Sequence, residues 1–195
     1  MSPQQPIVGI LLAAGAGTRF GGGKLVHPLD DGVAIAAHAA RNLFAAELPL
    51  VVAVVRPGDF PLGDILEQEG CDVVPCAESV RGMGHTLAHG IQSTRDVAGW
   101  IVALADMPRF KPETIKQVAS ALAAGAVIAA PAYRGERGHP VGFSSQLRDE
   151  LLRLSGDSGA RAVLERHRHE VQLIACDDPG VLVDIDVKSD LDRPV

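Results

Sequence analysis

The sequence predicts an α/β protein, a single-domain three-layer sandwich with a mostly parallel sheet. Two observations predict this class. Short apolar runs that suit buried strands alternate with longer stretches of helical periodicity, and the glycine-rich or charged motifs follow the ends of apolar runs. This alternation is typical of parallel sheets, which bind ligands at the carboxyl ends of their strands. With 195 residues the chain has the length of one domain, which we expect to span residues 1–195.

The predicted strands are short apolar runs bounded by turn residues. The run Ile7–Ala13 is continuous and Gly15 ends it, as expected of a strand buried on both faces. Pro57-Gly58 closes the similar run Leu50–Val55. Further strands are predicted at Asp72–Pro75, Trp100–Ala105, Ala126–Ala130, Val171–Ala175 and Leu182–Ile185.

The predicted helices lie between these strands. The clearest is Glu113–Ala124, which begins just after Pro112. The others are Val33–Glu47, Leu62–Glu69, His85–Arg95, Gln146–Leu154 and Gly159–Arg168, whereas Tyr133–Val141 is predicted to be a turn-rich loop. The order of strands and helices indicates a Rossmann-like architecture.

Composition narrows the classes of partner. No apolar run approaches the roughly 18 residues that a membrane span needs, so we expect no membrane contact. Met1 to Pro6 is polar and lacks a basic region, which argues against a signal peptide and for the cytoplasm. The net charge of −6 argues against a nucleic-acid partner, which would need a basic stripe.

A glycine-rich loop follows the first predicted strand. Five of the nine residues from Gly15 to Gly23 are glycine, and Arg19 and Lys24 add positive charge. Exposed backbone N–H groups and two cations favour an anion site over a merely flexible surface loop. Two common phosphate motifs are excluded: Leu25 follows Gly23-Lys24 where the Walker loop requires serine or threonine, and Phe20 replaces the third glycine of the dinucleotide pattern.

The run Leu12-Ala13-Ala14-Gly15-x-Gly17-x-Arg19-Phe20-Gly21-x-x-Lys24 resembles the signature loop of the sugar-nucleotide and cofactor nucleotidyltransferases. Within that group it is most similar to the molybdenum cofactor cytidylyltransferases and guanylyltransferases. The resemblance covers nearly the whole chain, because four further motifs follow in the same order. It implies that the loop wraps a nucleoside triphosphate, with Arg19 and Lys24 neutralising its charge. The implied nucleotide contacts in this loop are Leu12, Ala13, Ala14, Gly15 and Gly17.

A second glycine-rich turn, Gly82-Met83-Gly84-His85-Thr86, stands at the start of a predicted helix. Backbone N–H groups at a helix start suit an anion or another polar ligand. The turn resembles the Gly-Met-Gly-x-Ser element of the same family, with Thr86 keeping the hydroxyl. The resemblance implies nucleotide contacts from Gly82, Met83, Gly84 and Thr86.

Acidic residues near the ends of two predicted strands are candidate metal ligands. Asp106 follows the strand Trp100–Ala105, where a carboxylate needs a cationic partner unless it serves only in a turn. Magnesium suits such a site, because it binds through one or two carboxylates together with phosphate oxygens and water. The resemblance implies that Asp106 and Asp186 hold Mg²⁺. Asp184 would face the same side of its strand as Asp186, so the choice between these two stays open.

Two downstream motifs resemble further elements of the family. Gly138-His139-Pro140 resembles the element that borders the acceptor site, which implies that His139 binds the acceptor phosphate, although a histidine beside a proline can also be structural. The segment from Gly156 to Arg161 also matches a family pattern and has two interpretations: Asp157 caps the following helix, or Arg161 reaches an anionic acceptor.

The resemblance therefore implies transfer of CMP or GMP from CTP or GTP to the terminal phosphate of molybdopterin, with release of pyrophosphate. Arg19, Lys24 and Asp106 would be the catalytic residues, acting by positioning and charge neutralisation. The Leu-Ala-Ala-Gly start favours CTP. A sugar phosphate or another small phosphate is an alternative acceptor. A non-catalytic nucleotide-binding chaperone is the alternative from another class, and an apo-molybdoenzyme is a further candidate partner.

Overall fold

The strands form one sheet in the computed structural model, which describes residues 5–192. In chain order they are β1 Ile7–Leu12, β2 Val51–Val55, β3 Asp72–Pro75, β4 Gly99–Leu104, β5 Ile128–Tyr133, β6 Glu136–Arg137, β7 Val141–Ser144 and β8 Val171–Ala175. The helices are α1 Ile35–Ala45, α2 Phe60–Gln68, α3 Met83–Gln92, α4 Pro112–Ala123, α5 Arg148–Leu152 and α6 Arg161–Arg166. None of the helices within residues 5–192 has the length and apolar character needed to cross a bilayer.

The sheet is mostly parallel, as predicted. Its strand order is β3-β2-β1-β4-β7-β5-β6, and β8 pairs with β5. The pairs β1–β2, β1–β4, β2–β3 and β5–β8 are parallel, whereas β7 runs antiparallel to β4 and β5, and β6 antiparallel to β5. The first four strands therefore direct their carboxyl ends to one edge, where a ligand site is expected.

Successive residues of the central strands face opposite layers of helices. In β1, Leu11 packs into a core with α1, α2 and α4, whereas Ile10 packs into a second core with α3, α5 and α6. This alternation is the strand period of two, and it confirms the three-layer sandwich. Gly90 of α3 allows close packing on the sheet, because a Cβ there would lie 2.8 Å from Cγ2 of Ile10.

The structure corrects several predicted elements. The prediction of a strand at Leu182–Ile185 is wrong: a 3-10 turn covers Pro179–Leu182, and no regular structure follows it up to Asp186. The predicted loop Tyr133–Val141 contains β6 and the start of β7. The predicted helix Gln146–Leu154 is a 3-10 turn followed by the short α5, and β5 begins and ends later than the predicted Ala126–Ala130.

Candidate active site

A pocket of about 490 Å³ opens at the carboxyl ends of β1 and β4. One wall is the glycine loop that follows β1, and the opposite wall is the turn before α3. The lining residues are Leu12, Ala14, Gly15, Ala16, Arg56, Ser79, Val80, Gly82, Met83, Thr86, Leu104, Asp106 and Asp157. A pocket of this size is typical of small-ligand sites.

The glycine loop folds back so that Lys24 returns to the strand ends. Gly17 is essential to this path, since its φ is 58° and a Cβ would lie 3.1 Å from Cβ of Lys24. Its carbonyl accepts hydrogen bonds from Phe20 N and Gly22 N, which close the turn. Gly17 and Lys24 line a smaller cavity of about 200 Å³ beside the main pocket.

Four predicted charged residues meet at this edge. Lys24 Nζ lies 2.7 Å from Oδ2 of Asp106 and 3.4 Å from Oδ1 of Asp186, and Arg19 Nη1 lies 2.7 Å from Oδ2 of Asp186. The Lys24 side chain is 9% exposed and that of Arg19 is 75% exposed. The Lys24 pairs are therefore less screened by solvent than the Arg19 pair. Two cations balance two carboxylates, which lie close enough to share one cation.

Backbone hydrogen bonds bring Asp186 to Asp106 although the predicted strand is absent. Ile185 N donates to Asp106 O at 2.9 Å, and the carboxylate of Asp190 accepts from the backbone N–H of Asp186 and Val187. Partial burial raises the pKa of the Asp184 carboxyl, and the nearby carboxylates of Asp186 and Asp106 raise it further. Asp186, however, is the residue that contacts Lys24.

The carboxylate pair has the donor chemistry that magnesium prefers. Among residues 5–192, no group of three or more His, Cys, Asp or Glu side chains is arranged to hold a metal. A metal at Asp106 and Asp186 would thus depend on two carboxylates, with substrate phosphates and water as the remaining ligands, which is how Mg²⁺ is commonly bound. The residues present fit such an ion.

The wall before α3 is built by close backbone packing. A Cβ at Gly82 would lie 2.3 Å from the carbonyl carbon of Gly156, and one at Gly84 would lie 2.7 Å from the backbone of Ser155. Gly84 N donates to Gly156 O at 2.8 Å, so this N–H group already has a partner. Because both glycines lack a Cβ, the neighbouring segment 155–157 can pack directly against their backbone. Gly82, Met83 and the buried Thr86 line the pocket.

The remaining predicted site residues take different positions. Leu12, Ala14 and Gly15 line the pocket, whereas Ala13 is buried in the core beneath it. Asp157 lines the pocket and does not cap α6, whose N-cap is Ala160 without a side-chain hydrogen bond, so the capping prediction is wrong.

His139 and Arg161 are not among the residues that line the main pocket. His139 is half-buried, and its Nδ1 has no hydrogen-bond partner within residues 5–192. Burial, and then the charge of Arg137, lower the pKa of His139 to about 4, so it is neutral at physiological pH. Arg161 lines a shallow groove together with Arg137 and Arg168.

Sequence reasoning missed Arg56 and Ser79, which line the pocket. A detectable signal exists for Arg56, because it directly follows the buried strand β2 at the ligand-binding edge of the sheet. Ser79 lies in a 3-10 turn after β3 and carries no comparable pattern.

The fold and the site define an α/β nucleotidyltransferase, with a glycine loop, cations and paired carboxylates at one sheet edge. The chain belongs to the family of the MobA-like NTP transferase domain, whose model matches residues 9–171.

Relatives span nearly the whole chain. Purine catabolism protein PucB of Bacillus subtilis is 27% identical over 95% of this chain and 94% of its own length. Nicotine blue oxidoreductase of Paenarthrobacter nicotinovorans is 28% identical over 96% of this chain and 95% of its own. The crystal structure of Rv0371c from Mycobacterium tuberculosis superposes with a TM-score of 0.85 at 26% identity, covering 97% of this chain and 96% of that one. Rv0371c has also been crystallised as a manganese complex, which superposes with a TM-score of 0.81.

Proposed function

We propose that the protein transfers a CMP group, or alternatively a GMP group, from the nucleoside triphosphate to the terminal phosphate of a molybdopterin-type acceptor, with Mg²⁺ as the metal. The observation that carries this proposal is the convergence of Lys24, Arg19, Asp106 and Asp186 beside the pocket. Paired carboxylates and two cations suit a bound metal–triphosphate complex.

The chemistry requires positioning and charge neutralisation more than proton transfer. Asp106 and Asp186 would hold Mg²⁺, which when bound supplies positive charge to the phosphate oxygens. Lys24 and Arg19 stabilise the charge that develops on the α-phosphate and the leaving pyrophosphate. The phosphate of the acceptor, with a second pKa of about 6, is largely ionised at neutral pH. It can attack without a strong general base, so no residue is assigned that role.

The finer points of the proposal have separate support. The manganese complex of Rv0371c supports a divalent cation. The choice of acceptor rests on the order of the sequence motifs. The names of the two relatives refer to purine catabolism and to an oxidoreductase, so they do not indicate an acceptor. CTP is favoured over GTP by the Leu-Ala-Ala-Gly start of the loop. Delivery of the product to an apo-molybdoenzyme is part of the same proposal.

Pyrophosphate release tests the proposal directly. The purified protein is mixed with Mg²⁺, molybdopterin and each of CTP, GTP, ATP and UTP, and we expect release with CTP above the other three. Asp106→Asn keeps the volume of the side chain and removes its charge, so turnover should nearly vanish. Asp64→Asn is the matched control, because Asp64 is exposed on α2 away from the site.

Three outcomes would contradict different parts of the proposal. Release with a sugar phosphate but not with molybdopterin would change the acceptor, and normal turnover of Asp106→Asn would remove the metal assignment. Binding of a triphosphate without release of pyrophosphate under any condition would favour the non-catalytic chaperone.

A further inference from the structure

Arg56 joins the end of β2 to the glycine loop. Its Nε donates to the carbonyl oxygen of Ala14 at 2.8 Å, across 42 positions of the chain. The side chain is half-buried and lines both the main pocket and the adjoining cavity that contains Lys24. Arg56 is thus placed by the fold within the nucleotide site and holds its loop.

Most of the hydrogen-bonding capacity of Arg56 remains unused. A guanidinium has five N–H donors, and the bond to Ala14 is the one hydrogen bond that the Arg56 side chain makes within residues 5–192. No carboxylate in that range forms an ion pair with it. Arg41 is different, because its Nε and Nη2 both donate to the carboxylate of Glu69. A half-buried guanidinium without such a partner suits a ligand that brings its own acceptors.

The position of Arg56 indicates which part of a nucleotide it meets. Asp106 follows β4, and β1 separates β4 from β2. Neighbouring strands lie about 4.8 Å apart, so the end of β2 is about 10 Å from the end of β4. A nucleotide whose phosphates lie at the carboxylates can therefore reach Arg56 with its base.

The pocket wall at this end suits a base. Val80 and Met83 expose 81% and 45% of their surface and offer apolar contact to a ring. Ser79 contributes a hydroxyl whose Oγ is buried and has no hydrogen-bond partner within residues 5–192. A polar atom without a partner in a pocket wall is an independent sign of a polar ligand.

We propose that Arg56 is a specificity-determining residue that donates to an exocyclic carbonyl oxygen of the base, with the Ser79 hydroxyl as a second polar contact. The site then prefers cytosine, guanine or uracil to adenine. The exocyclic group of adenine is an amine, which would place donors against the donors of Arg56. This inference rests on the proposed function, since it requires the pocket to bind a nucleoside triphosphate.

Calorimetric titration separates this role from a structural one. Dissociation constants for CTP, GTP, UTP and ATP are measured with Mg²⁺ in the wild type, in Arg56→Met and in Arg41→Met. The wild type should bind its best carbonyl-bearing nucleotide at least about tenfold more tightly than ATP, and Arg56→Met should lose about 10- to 100-fold of this preference. Arg41→Met loses two hydrogen bonds outside the pocket and should keep the preference.

Equal weakening of all four nucleotides in Arg56→Met would show that Arg56 acts on the phosphates, and would overturn the inference. Equal wild-type affinity for ATP would do the same while leaving the proposed function intact. A wild type that binds no triphosphate would remove both. Thermal melting checks that each variant is folded. If Arg56→Met is not folded, Arg56→Lys replaces it. Lysine keeps the positive charge but lacks the planar set of N–H donors of the guanidinium, so this variant should lose selectivity while retaining most of the affinity.

Discussion

The ammonium of Lys24 separates two carboxylates that would otherwise repel each other. Its Nζ lies within 3.4 Å of both Asp106 and Asp186, and its side chain is almost entirely buried. A divalent cation would bind the same oxygens. In the proposed function, Lys24 and the metal would therefore compete for these carboxylates until a triphosphate brought negative charge that attracts both.

Lys24→Met should strengthen Mg²⁺ binding while it weakens catalysis. Removing the ammonium leaves Asp106 without its cationic partner and Asp186 with Arg19 alone. Mg²⁺ should therefore raise the melting temperature more in the variant than in the wild type. The turnover number should fall about 100-fold, the scale seen when one preorganised charge-stabilising group is lost. The KM for the nucleotide should change far less.

The matched control for this experiment is Lys116→Met, which removes an exposed ion pair with Glu47 away from the carboxylates. It should leave the magnesium response and the turnover unchanged. A Lys24→Met protein with a normal turnover number and only a raised KM would contradict the prediction. It would show that Lys24 stabilises the bound substrate and the transition state equally.

Among single residues, the sequence identified the cations of the glycine loop and Asp106, and it missed Arg56 and Ser79. Lys24 was predictable because it follows a run of glycines that suits an anion, and Asp106 because a carboxylate directly after an apolar run needs a partner or a ligand. Arg56 directly precedes Pro57-Gly58, so the sequence pattern indicates only the boundary of a turn there. Its contact with Ala14 depends on β1 and β2 being neighbours, which is a property of the folded sheet.

Among the elements, α3 shows how one pattern supports two interpretations. Its first residues belong to the glycine-rich segment 82–86 that suggests an anion site. In the structure, Gly82 and Gly84 make room for the backbone of Ser155 and Gly156, which builds the pocket wall. A glycine that is required for close packing cannot be distinguished in the sequence from one that exposes N–H groups to a ligand.

Two helical glycines should respond oppositely to alanine. A Cβ at Gly84 would lie 2.7 Å from Ser155, whereas the nearest atom to a Cβ at Gly63 of α2 is 3.8 Å away, in Val73. Gly63→Ala should stabilise the protein by about 0.5–1 kcal/mol, because alanine favours the helix. Gly84→Ala should destabilise it and weaken nucleotide binding, since the 155–157 segment must move. Urea unfolding and nucleotide titration measure both effects, and stabilisation by Gly84→Ala would contradict this packing.

The strands show where periodicity is sufficient and where it is not. The central strands β1, β2 and β4 were predicted nearly to the residue, because they are buried on both faces and read as continuous apolar runs. β6 has two residues and β7 has four, in a region with glycine and proline, so neither produces a clear period. Leu182–Ile185 has an apolar alternation like that of a strand, but Asp178 and Pro179 begin a 3-10 turn there instead.

The stability that the contacts between α5 and the end of α6 contribute should depend on pH. His167 lies within hydrogen-bond distance of Glu170 and Glu150, at 2.8 and 3.0 Å, and Arg166 also contacts Glu150. The hydrogen bonds to Glu170 and then Glu150 raise the pKa of His167 above its ordinary value. Its contribution to stability is therefore fully present below the unfolded pKa of about 6.5, and is lost as pH rises through the raised folded pKa.

We expect His167→Gln to lower the free energy of unfolding by about 1 kcal/mol or less at pH 5.5, because the pair is partly exposed. At pH 9 the variant and the wild type should differ less. The measurement is urea unfolding of both proteins at the two pH values. Subtracting the unfolding free energy of the variant from that of the wild type at each pH removes the contribution of the other histidines. A difference that grows with pH would contradict the sign of the shift.

Across the whole molecule, one buried carboxylate fastens the C-terminal segment to the helical layer. Asp178 is 1% exposed and accepts hydrogen bonds from Lys111 N, Thr114 Oγ1 and Gly180 N. The first two donors lie at the start of α4, more than 60 positions earlier in the chain. The segment held in this way continues to Asp186, so the position of one carboxylate of the proposed metal site depends on this distant bond network.

Asp178→Ala should affect stability and the site together. Leaving three donors without their acceptor should cost about 3 kcal/mol, which corresponds to roughly 6–12 °C in melting temperature for a domain of this size. Magnesium and nucleotide binding should weaken as well, because the segment with Asp186 loses its anchor. Asp177→Ala is the control, because Asp177 is exposed and its side chain makes none of these hydrogen bonds. Wild-type nucleotide affinity in a destabilised Asp178→Ala protein would separate the two effects.

The distance along the chain between Lys24 and Asp186 has a consequence for synthesis on the ribosome. These residues are 162 positions apart, yet their side chains meet. The glycine loop is made long before Asp186, and Lys24 cannot contact this second carboxylate until the ribosome has added it. A nascent chain can bury much of its sheet earlier, but it cannot bring Lys24, Asp106 and Asp186 together. A chain that stops before Asp186 therefore lacks the complete cluster of charges.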